Sequence, residues 1–201
     1  MAILDVLHFP DPRLRLRAEP IEKITDELRQ LAADMLETMY DEPGIGLAAP
    51  QIGESIRLIV MDTEWTEEDA ERKPCVFVNP EITERSGEVI WNEGCLSVPD
   101  FSAEVKRAEN VVLRALDLEG REVVETASGL RAVCFQHEVD HLDGVLFIDR
   151  ISRLKRNLYV GKRKKLLQED GERWTSAGER PPVPIGGKLP IGAKSPTGTK
   201  L

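Results

Sequence analysis

The sequence predicts an α+β fold in which mainly antiparallel sheets pack around a central helix that carries the motif H-E-x-x-H, with an N-terminal helix and a C-terminal helix. Three observations support this class. Residues 28–39 carry an apolar stripe of helical period, residues 56–126 contain several short β-type runs, and the two histidines of the motif lie four residues apart. The order of a helix, then several strands, then a helix indicates mainly antiparallel sheet.

The first helix is predicted from apolar side chains that recur on one face. They occupy positions i, i+3, i+4, i+7, i+8 and i+11 of a single stripe, namely Leu28, Leu31, Ala32, Met35, Leu36 and Met39. Thr25 is the expected N-cap, and Asp26 and Glu27 are well placed for the helix dipole. The helix should end before Pro43-Gly44, and the stretch from Gly44 to Gly53 should form a glycine-rich loop.

The middle of the chain is predicted to form short strands. The runs are Ile56 to Met61, Cys75 to Val78 and Val111 to Leu118, with a return strand from Glu122 to Thr126. Gly120-Arg121 is the expected hairpin turn between the last two. The acidic stretch from Glu64 to Glu71 should be an exposed loop.

The C-terminal part of the chain divides at about residue 170. The helix that carries the histidines is predicted from Ser128 to Asp143-Gly144, and a last, basic helix over residues 152–168. Beyond residue 170, prolines, glycines and lysines alternate without apolar periodicity, so this segment buries too little surface to offset its ordering entropy. We expect one folded domain over residues 1–169 and a disordered Pro/Gly/Lys-rich tail over residues 170–201.

Composition excludes several classes of function. A net charge of −9 argues against a nucleic-acid surface spread over the whole molecule, so no DNA partner is expected. No run approaches the roughly 18 apolar residues that cross a bilayer, and the N-terminus lacks the pattern of a secretion signal. Three scattered cysteines are too few for a disulfide framework. Reduced thiols and a cytoplasmic location are therefore expected.

The motif at residues 137–141 has the spacing of a metal site. Four helical positions turn through about 400°, so the imidazoles of His137 and His141 emerge on one face, about one turn apart. The two imidazoles can bind a single metal ion, and Glu138 can accept and donate protons of a water bound to that ion. The alternative without a metal site is a helix that carries two surface histidines.

A metal ion that keeps one position open for water needs a third protein ligand. In many zinc proteases this is a downstream His or Glu, but no histidine follows His141. Cys95 stands out because of its surroundings, residues 93–99, and its thiolate would complete a Cys/His/His site. An isolated cysteine is more often a small buried apolar side chain. These residues alone leave both readings open.

Three segments together strongly resemble the three signature motifs of the peptide deformylases, in the same order and with matching spacing. They are Gly44-Ile45-Gly46-Leu47-Ala48-Ala49-Pro50-Gln51-Ile52-Gly53, Glu93-Gly94-Cys95-Leu96-Ser97 and Gln136-His137-Glu138-Val139-Asp140-His141. The resemblance extends over nearly the whole chain to about Gln168. It implies that residues 1–169 are a catalytic domain that removes the N-formyl group from the N-terminal formylmethionine of new polypeptides and releases formate.

The resemblance also implies a metal site and its chemistry. Cys95, His137 and His141 would hold one divalent ion, which in this family is usually Fe²⁺, with Zn²⁺, Ni²⁺ or Co²⁺ able to substitute. The ligand types alone favour zinc, so iron rests on the resemblance only. Glu138 would accept a proton from water and later deliver it to the departing amine.

Further roles follow from the same resemblance. The side-chain amide of Gln51 and the backbone N–H of Leu96 would stabilise the oxyanion, and Glu93 would orient the site as a neighbour of the ligands. Substrate-binding positions would hydrogen-bond an extended peptide and line a pocket for its methionine, and they are Gly44, Ile45, Gly46, Trp91, Leu130, Val133 and Cys134.

Two other functions compete with this interpretation. A zinc endopeptidase is disfavoured by a cysteine in place of the usual third ligand and by the loop that carries Gln51. A metal-binding homologue without catalysis is disfavoured because Gln51 and Glu138 accompany all three ligands.

The expected partners are N-formylmethionyl nascent peptides and, through the basic helix at residues 150–165, the ribosome. For that helix, a solvated amphipathic helix packed on the domain is the slightly favoured alternative to ribosome docking.

Overall fold

The computed structural model describes residues 2–65 and 71–177. The tail from residue 178 onward and residues 66–70 of the acidic stretch lie outside the described residues. The helices and strands, in chain order, are α1 Asp26–Asp41, β1 Gly46–Ala48, β2 Leu58–Met61, β3 Cys75–Ser86, β4 Val89–Cys95, β5 Val98–Arg107, β6 Asn110–Leu116, β7 Glu122–Ser128, α2 Gly129–Leu142 and α3 Arg153–Ala177. Short 3-10 turns span Pro12–Arg15, Ala49–Ile52 and Phe147–Asp149.

The predicted α+β class with antiparallel sheets is confirmed. Five strands form one sheet in the order β1-β2-β3-β6-β7, and β4 and β5 form a separate two-stranded sheet. All of these pairs are antiparallel. Helix α2 packs on the large sheet, where the ring of Phe135 meets that of Phe77 edge-on at 5.2 Å between centroids. Every residue of α2 from Ala132 to Leu142 is buried.

The first helix forms as predicted, because its cap and its apolar stripe agree. The Thr25 side chain accepts a hydrogen bond from the Leu28 amide, and the helix ends at Asp41, before Pro43. Its buried stripe packs against β1 and β2 in one apolar cluster that includes Leu28, Ala32, Met35, Met39, Leu47, Leu58 and Val60. This packing fixes β1 at the edge of the large sheet.

Several predicted boundaries were wrong. The glycine-rich stretch is not a loop throughout, because Leu47 is buried and pairs with Val60 in strand β1. The strand predicted to end at Val78 continues through two register shifts to Ser86. In the acidic stretch, predicted to be exposed, Trp65 is buried edge-on against Tyr40.

The two-stranded sheet β4–β5 was not predicted, and the last helix is longer than expected. In β4 and β5 the inward positions include the charged Glu93 and Arg107, which hides the alternation of apolar and polar residues. Helix α3 continues to Ala177, past the predicted end at residue 168. No proline lies between its start and Pro181, so every residue in between has the backbone N–H that a helix needs. No described helix is long and apolar enough to span a membrane.

Candidate metal centre

The three predicted ligands converge at one point between the two-stranded sheet and α2. The Cys95 sulfur and one nitrogen from each of His137 and His141 all lie within 4.8 Å of one another. The Cys95 sulfur is 3.2 Å from Nε2 of His141. A thiolate and two imidazoles are the donors that zinc, iron and related ions accept in proteins, and three protein donors leave a position for a water or a substrate. The residues present therefore fit a divalent transition metal.

His137 is held in a ligating orientation by Glu93, and His141 is kept neutral by burial. Nδ1 of His137 lies 2.8 Å from the Glu93 carboxylate, which leaves Nε2 as the donor for a metal. Burial lowers the pKa of His141 well below its usual value, so this imidazole stays neutral and can coordinate. Burial raises the pKa of Glu93, but hydrogen bonds from Arg107 and His137 outweigh it and bring the pKa to about 2. Glu93 is therefore a charged acceptor at neutral pH.

Glu138 is a buried carboxylate, one of whose oxygens is free to accept a hydrogen bond. Within the described part of the chain, its Oε2 has no hydrogen-bond partner. Burial raises the pKa of Glu138 to about 7, against the opposing effect of His137. A carboxylate with a pKa near neutrality can both accept and donate a proton there. A carboxylate with these properties, next to His137 on α2, is suited to the acid–base role predicted for Glu138.

Gln51 presents its amide N–H to the site. Its Oε1 accepts a hydrogen bond from the Ala48 backbone at 2.8 Å, so Nε2 points the other way. Nε2 lies 3.2 Å from the Ser97 hydroxyl and 3.6 Å from the Cys95 sulfur. Leu96 follows Cys95 directly in the turn between β4 and β5. Ser97, fully buried, was not singled out from the sequence because a serine carries no signal of its own.

A buried ionic network behind the ligands was also missed. Arg107 donates two hydrogen bonds to Glu93, at 2.6 and 2.8 Å, and a third to Asp140 at 2.6 Å. Asp140 lies between the two histidines in sequence and also accepts hydrogen bonds from Nε and Nη2 of Arg150. Asp140 is inside the recognised motif, but only the fold shows what it contacts.

The residues predicted to bind substrate flank the ligands on two sides. Leu130, Val133 and Cys134 precede His137 at helical spacing and continue the ligand face of α2 toward its N-terminus. The Cys134 thiol lies 3.7 Å from the Ile45 carbonyl, which brings β1 against α2. On β4, Trp91 shares a face with Glu93 and is half-buried, and Gly44 is buried against the Leu96 side chain.

Gly46 leaves no room for a side chain. A Cβ at this position would lie 2.4 Å from Oε1 of Glu138 and 2.9 Å from the Cys134 sulfur. Gly46→Ala is therefore expected to displace Glu138 and to lower the free energy of unfolding by about 1–3 kcal/mol. Urea titration tests this. In the matched control Gly161→Ala, on the exposed side of α3, a Cβ meets nothing within 4 Å, and we expect stabilisation by up to about 1 kcal/mol. Equal stability of Gly46→Ala and wild type would contradict the expected clash of the alanine Cβ with Glu138 and Cys134.

Comparison with known proteins gives a consistent answer. The model of the polypeptide deformylase family matches residues 3–157. A peptide deformylase of Alkalilimnicola ehrlichii is 53% identical over 169 residues, which cover 84% of this chain and 93% of that protein. A crystal structure of a peptide deformylase from Legionella pneumophila aligns with a TM-score of 0.76 at 46% identity, covering 84% of this chain and 98% of that one. A peptide deformylase from Ehrlichia chaffeensis in complex with actinonin aligns with a TM-score of 0.77 at 39% identity, over 82% of this chain and 98% of that one.

Proposed function

The chain belongs to the polypeptide deformylase family, and we propose that Cys95, His137 and His141 hold the metal ion on which its activity depends. The chain is an enzyme that removes the N-formyl group from the N-terminal formylmethionine of newly synthesised polypeptides and releases formate. The family assignment gives no support to the endopeptidase or to the inactive homologue. The observation that carries the metal proposal is the convergence of the three donor atoms within 4.8 Å.

In this proposal each buried group has a separate chemical task. When bound, the ion supplies a Lewis acid that makes hydroxide available from water near neutral pH. Glu138 accepts the proton of the attacking water and returns it to the amine that leaves. The Gln51 amide and the Leu96 backbone N–H donate hydrogen bonds to the formyl oxygen as negative charge develops on it. Losing one such donor typically costs about 100- to 1000-fold in rate. The bond from the Ala48 amide supports the role of Gln51, because it fixes the direction of the donor.

The peptide itself is proposed to bind along β1. This strand is at the end of the five-stranded sheet, so its outer edge can pair with an extended chain. Gly44 and Gly46 let the two backbones approach closely. The methionine side chain would enter an apolar pocket lined by Ile45, Trp91, Leu130, Val133 and Cys134. The pocket is supported by the position of three of these residues on the ligand face of α2.

The first experiment measures formate release from an N-formyl-methionyl tripeptide by anaerobically purified, metal-loaded protein. The matched control substrate is the same tripeptide with an N-acetyl group, and release of the free α-amine, the product that both substrates would share, is measured for each. We expect release from the formyl peptide alone, loss of activity on chelation, and recovery when a divalent metal is returned. Full activity after metal removal, checked by elemental analysis, would contradict the proposed metal centre.

We propose Fe²⁺ as the native ion, with Zn²⁺, Ni²⁺ or Co²⁺ able to take its place. An iron–thiolate site is open to oxidation, whereas nickel in the same site resists it. The iron-loaded enzyme is therefore expected to lose formate-releasing activity in air within the time that the nickel-loaded enzyme keeps it. Parallel activity measurements in air and under nitrogen test this. Equal decay of both forms in air would show that iron oxidation is not the cause.

We also propose that the enzyme works in the cytoplasm and docks on the ribosome through the basic helix at residues 150–165. The support is a set of exposed cations on α3, which in an acidic protein can reach rRNA phosphates: Lys155, Arg156, Lys162, Lys164 and Lys165. Salt should weaken such binding steeply. Pelleting with ribosomes at two salt concentrations tests it. Lys155→Glu/Lys162→Glu should abolish pelleting, and Arg17→Glu/Lys23→Glu, an exposed pair elsewhere, should not. If the amount of protein that pellets with ribosomes changed neither with salt nor with the α3 substitutions, docking by this helix would be refuted.

A further inference from the structure

The ionic network behind the metal ligands reaches the protein surface at Arg150. Asp140 receives the guanidinium of Arg150 on both carboxylate oxygens and that of Arg107 on one of them. Arg107 in turn donates a hydrogen bond to each carboxylate oxygen of Glu93. Glu93 is also hydrogen-bonded to Nδ1 of His137. Charge-assisted hydrogen bonds therefore connect Arg150 to the proposed metal ligand His137 without a gap.

The charges in this network balance only if Arg150 is counted. Glu93 and Asp140 are two carboxylates whose side chains are 3% and 12% exposed, and Arg107 is one guanidinium that is 2% exposed. Without Arg150, both carboxylates would compete for a single buried cation. With Arg150 on Asp140, the two forked donors of Arg107 remain directed at Glu93. The carboxylate that orients His137 is thereby held in one position.

Arg150 is itself fixed by the turn that precedes α3. It follows the 3-10 turn Phe147–Asp149, and Asp149 accepts the Leu146 amide and pairs with Arg15 and Arg156. The Arg150 side chain is 41% exposed, so it approaches Asp140 from the solvent side. Neither packing nor a cap requires a guanidinium at this position. Its contact with Asp140 is the specific interaction that the structure gives it.

We propose that Arg150 is a positioning residue for the metal ligand His137, acting through Asp140, Arg107 and Glu93. The proposal rests on the function proposed above, because it takes His137 as a ligand. Arg150 does not touch the substrate or the reacting atoms. Its effect is to keep the imidazole of His137 oriented, so that the ion is held in one geometry and lost slowly.

The test compares Arg150→Leu with wild type in the cobalt-loaded enzyme. We expect about 10-fold faster loss of metal to a chelator, at the lower end of the range for partners of metal ligands. We also expect a shifted visible spectrum of the Co²⁺ ion and a lower kcat with unchanged KM. Arg150→Lys keeps the positive charge but cannot donate to both oxygens of Asp140 as a guanidinium does. Its rate of metal loss should lie between those of Arg150→Leu and wild type. Arg153→Leu, which removes the same charge one turn away on an exposed position, should match wild type in all three.

A double-mutant cycle separates positioning from general destabilisation. If Arg150 acts through Asp140, then Arg150→Leu has little further effect on metal loss in an Asp140→Asn background. An equal effect in both backgrounds would overturn the proposal, as would metal loss no faster than in Arg153→Leu. Failure of the proposed function would look different, because the wild type itself would then retain no metal or release no formate.

Discussion

Replacing Glu138 by glutamine is expected to lower kcat for formate release by about 100- to 10,000-fold, the usual range for a lost acid–base group. The amide keeps the shape of the side chain but cannot accept the proton of the attacking water. KM should change little, because Glu138 is not among the residues proposed to bind the peptide. Steady-state kinetics with an N-formyl-methionyl peptide measures both constants.

Metal content and thermal stability are the controls for this substitution. Glu138 is buried, and its Oε2 has no hydrogen-bond partner among the described residues, so a neutral amide of the same size should not lower the melting temperature. Elemental analysis should find one metal ion per chain in both proteins. A variant that retains a tenth of the wild-type kcat would contradict the role of Glu138 as the base.

Arg107→Met is expected to have the largest effect on stability. It would leave Glu93 and Asp140 buried without the cation that joins them, and breaking a buried ion pair in this way costs about 3–5 kcal/mol. For a chain of this size, such a loss lowers the melting temperature by about 10 °C. The measurements are urea titration and calorimetry of the metal-loaded protein.

The matched control removes an arginine of the same kind from the surface. Arg114 pairs with Glu122 across β6 and β7, where both side chains are more than half exposed. Arg114→Met should cost less than about 1 kcal/mol, since solvent screens the pair. If the two variants lost similar free energies, the network around Arg107 would have no special role in stability.

Local patterns predicted those parts of the molecule that depend on local interactions. The stripe from Leu28 to Met39 and the cap at Thr25 define α1, because helix periodicity and capping are properties of neighbouring residues. The spacing of His137 and His141 likewise places both imidazoles on one face of α2. Cys95 as the third ligand came from resemblance to a family, since a cysteine 42 residues before His137 has no local relation to it.

What the sequence could not show depends on long-range burial. Charged residues are usually exposed, so nothing in the pattern marks Glu93, Arg107 and Asp140 as the interior of the protein. They are buried because each neutralises the next, and the three come from β4, β5 and α2. The same inward charges hid the two-stranded sheet, whose alternation otherwise resembles that of β6 and β7.

The three proposed metal ligands come from two parts of the fold that share no sheet. Cys95 ends β4 in the two-stranded sheet, and His141 lies 46 residues later on α2, which packs on the large sheet. An ion held by both therefore closes a long loop of the chain, much as a cross-link does, and restricts the entropy available on unfolding. The metal ion proposed for this site would thus join the β4–β5 hairpin to α2 and stabilise the folded state relative to the unfolded chain.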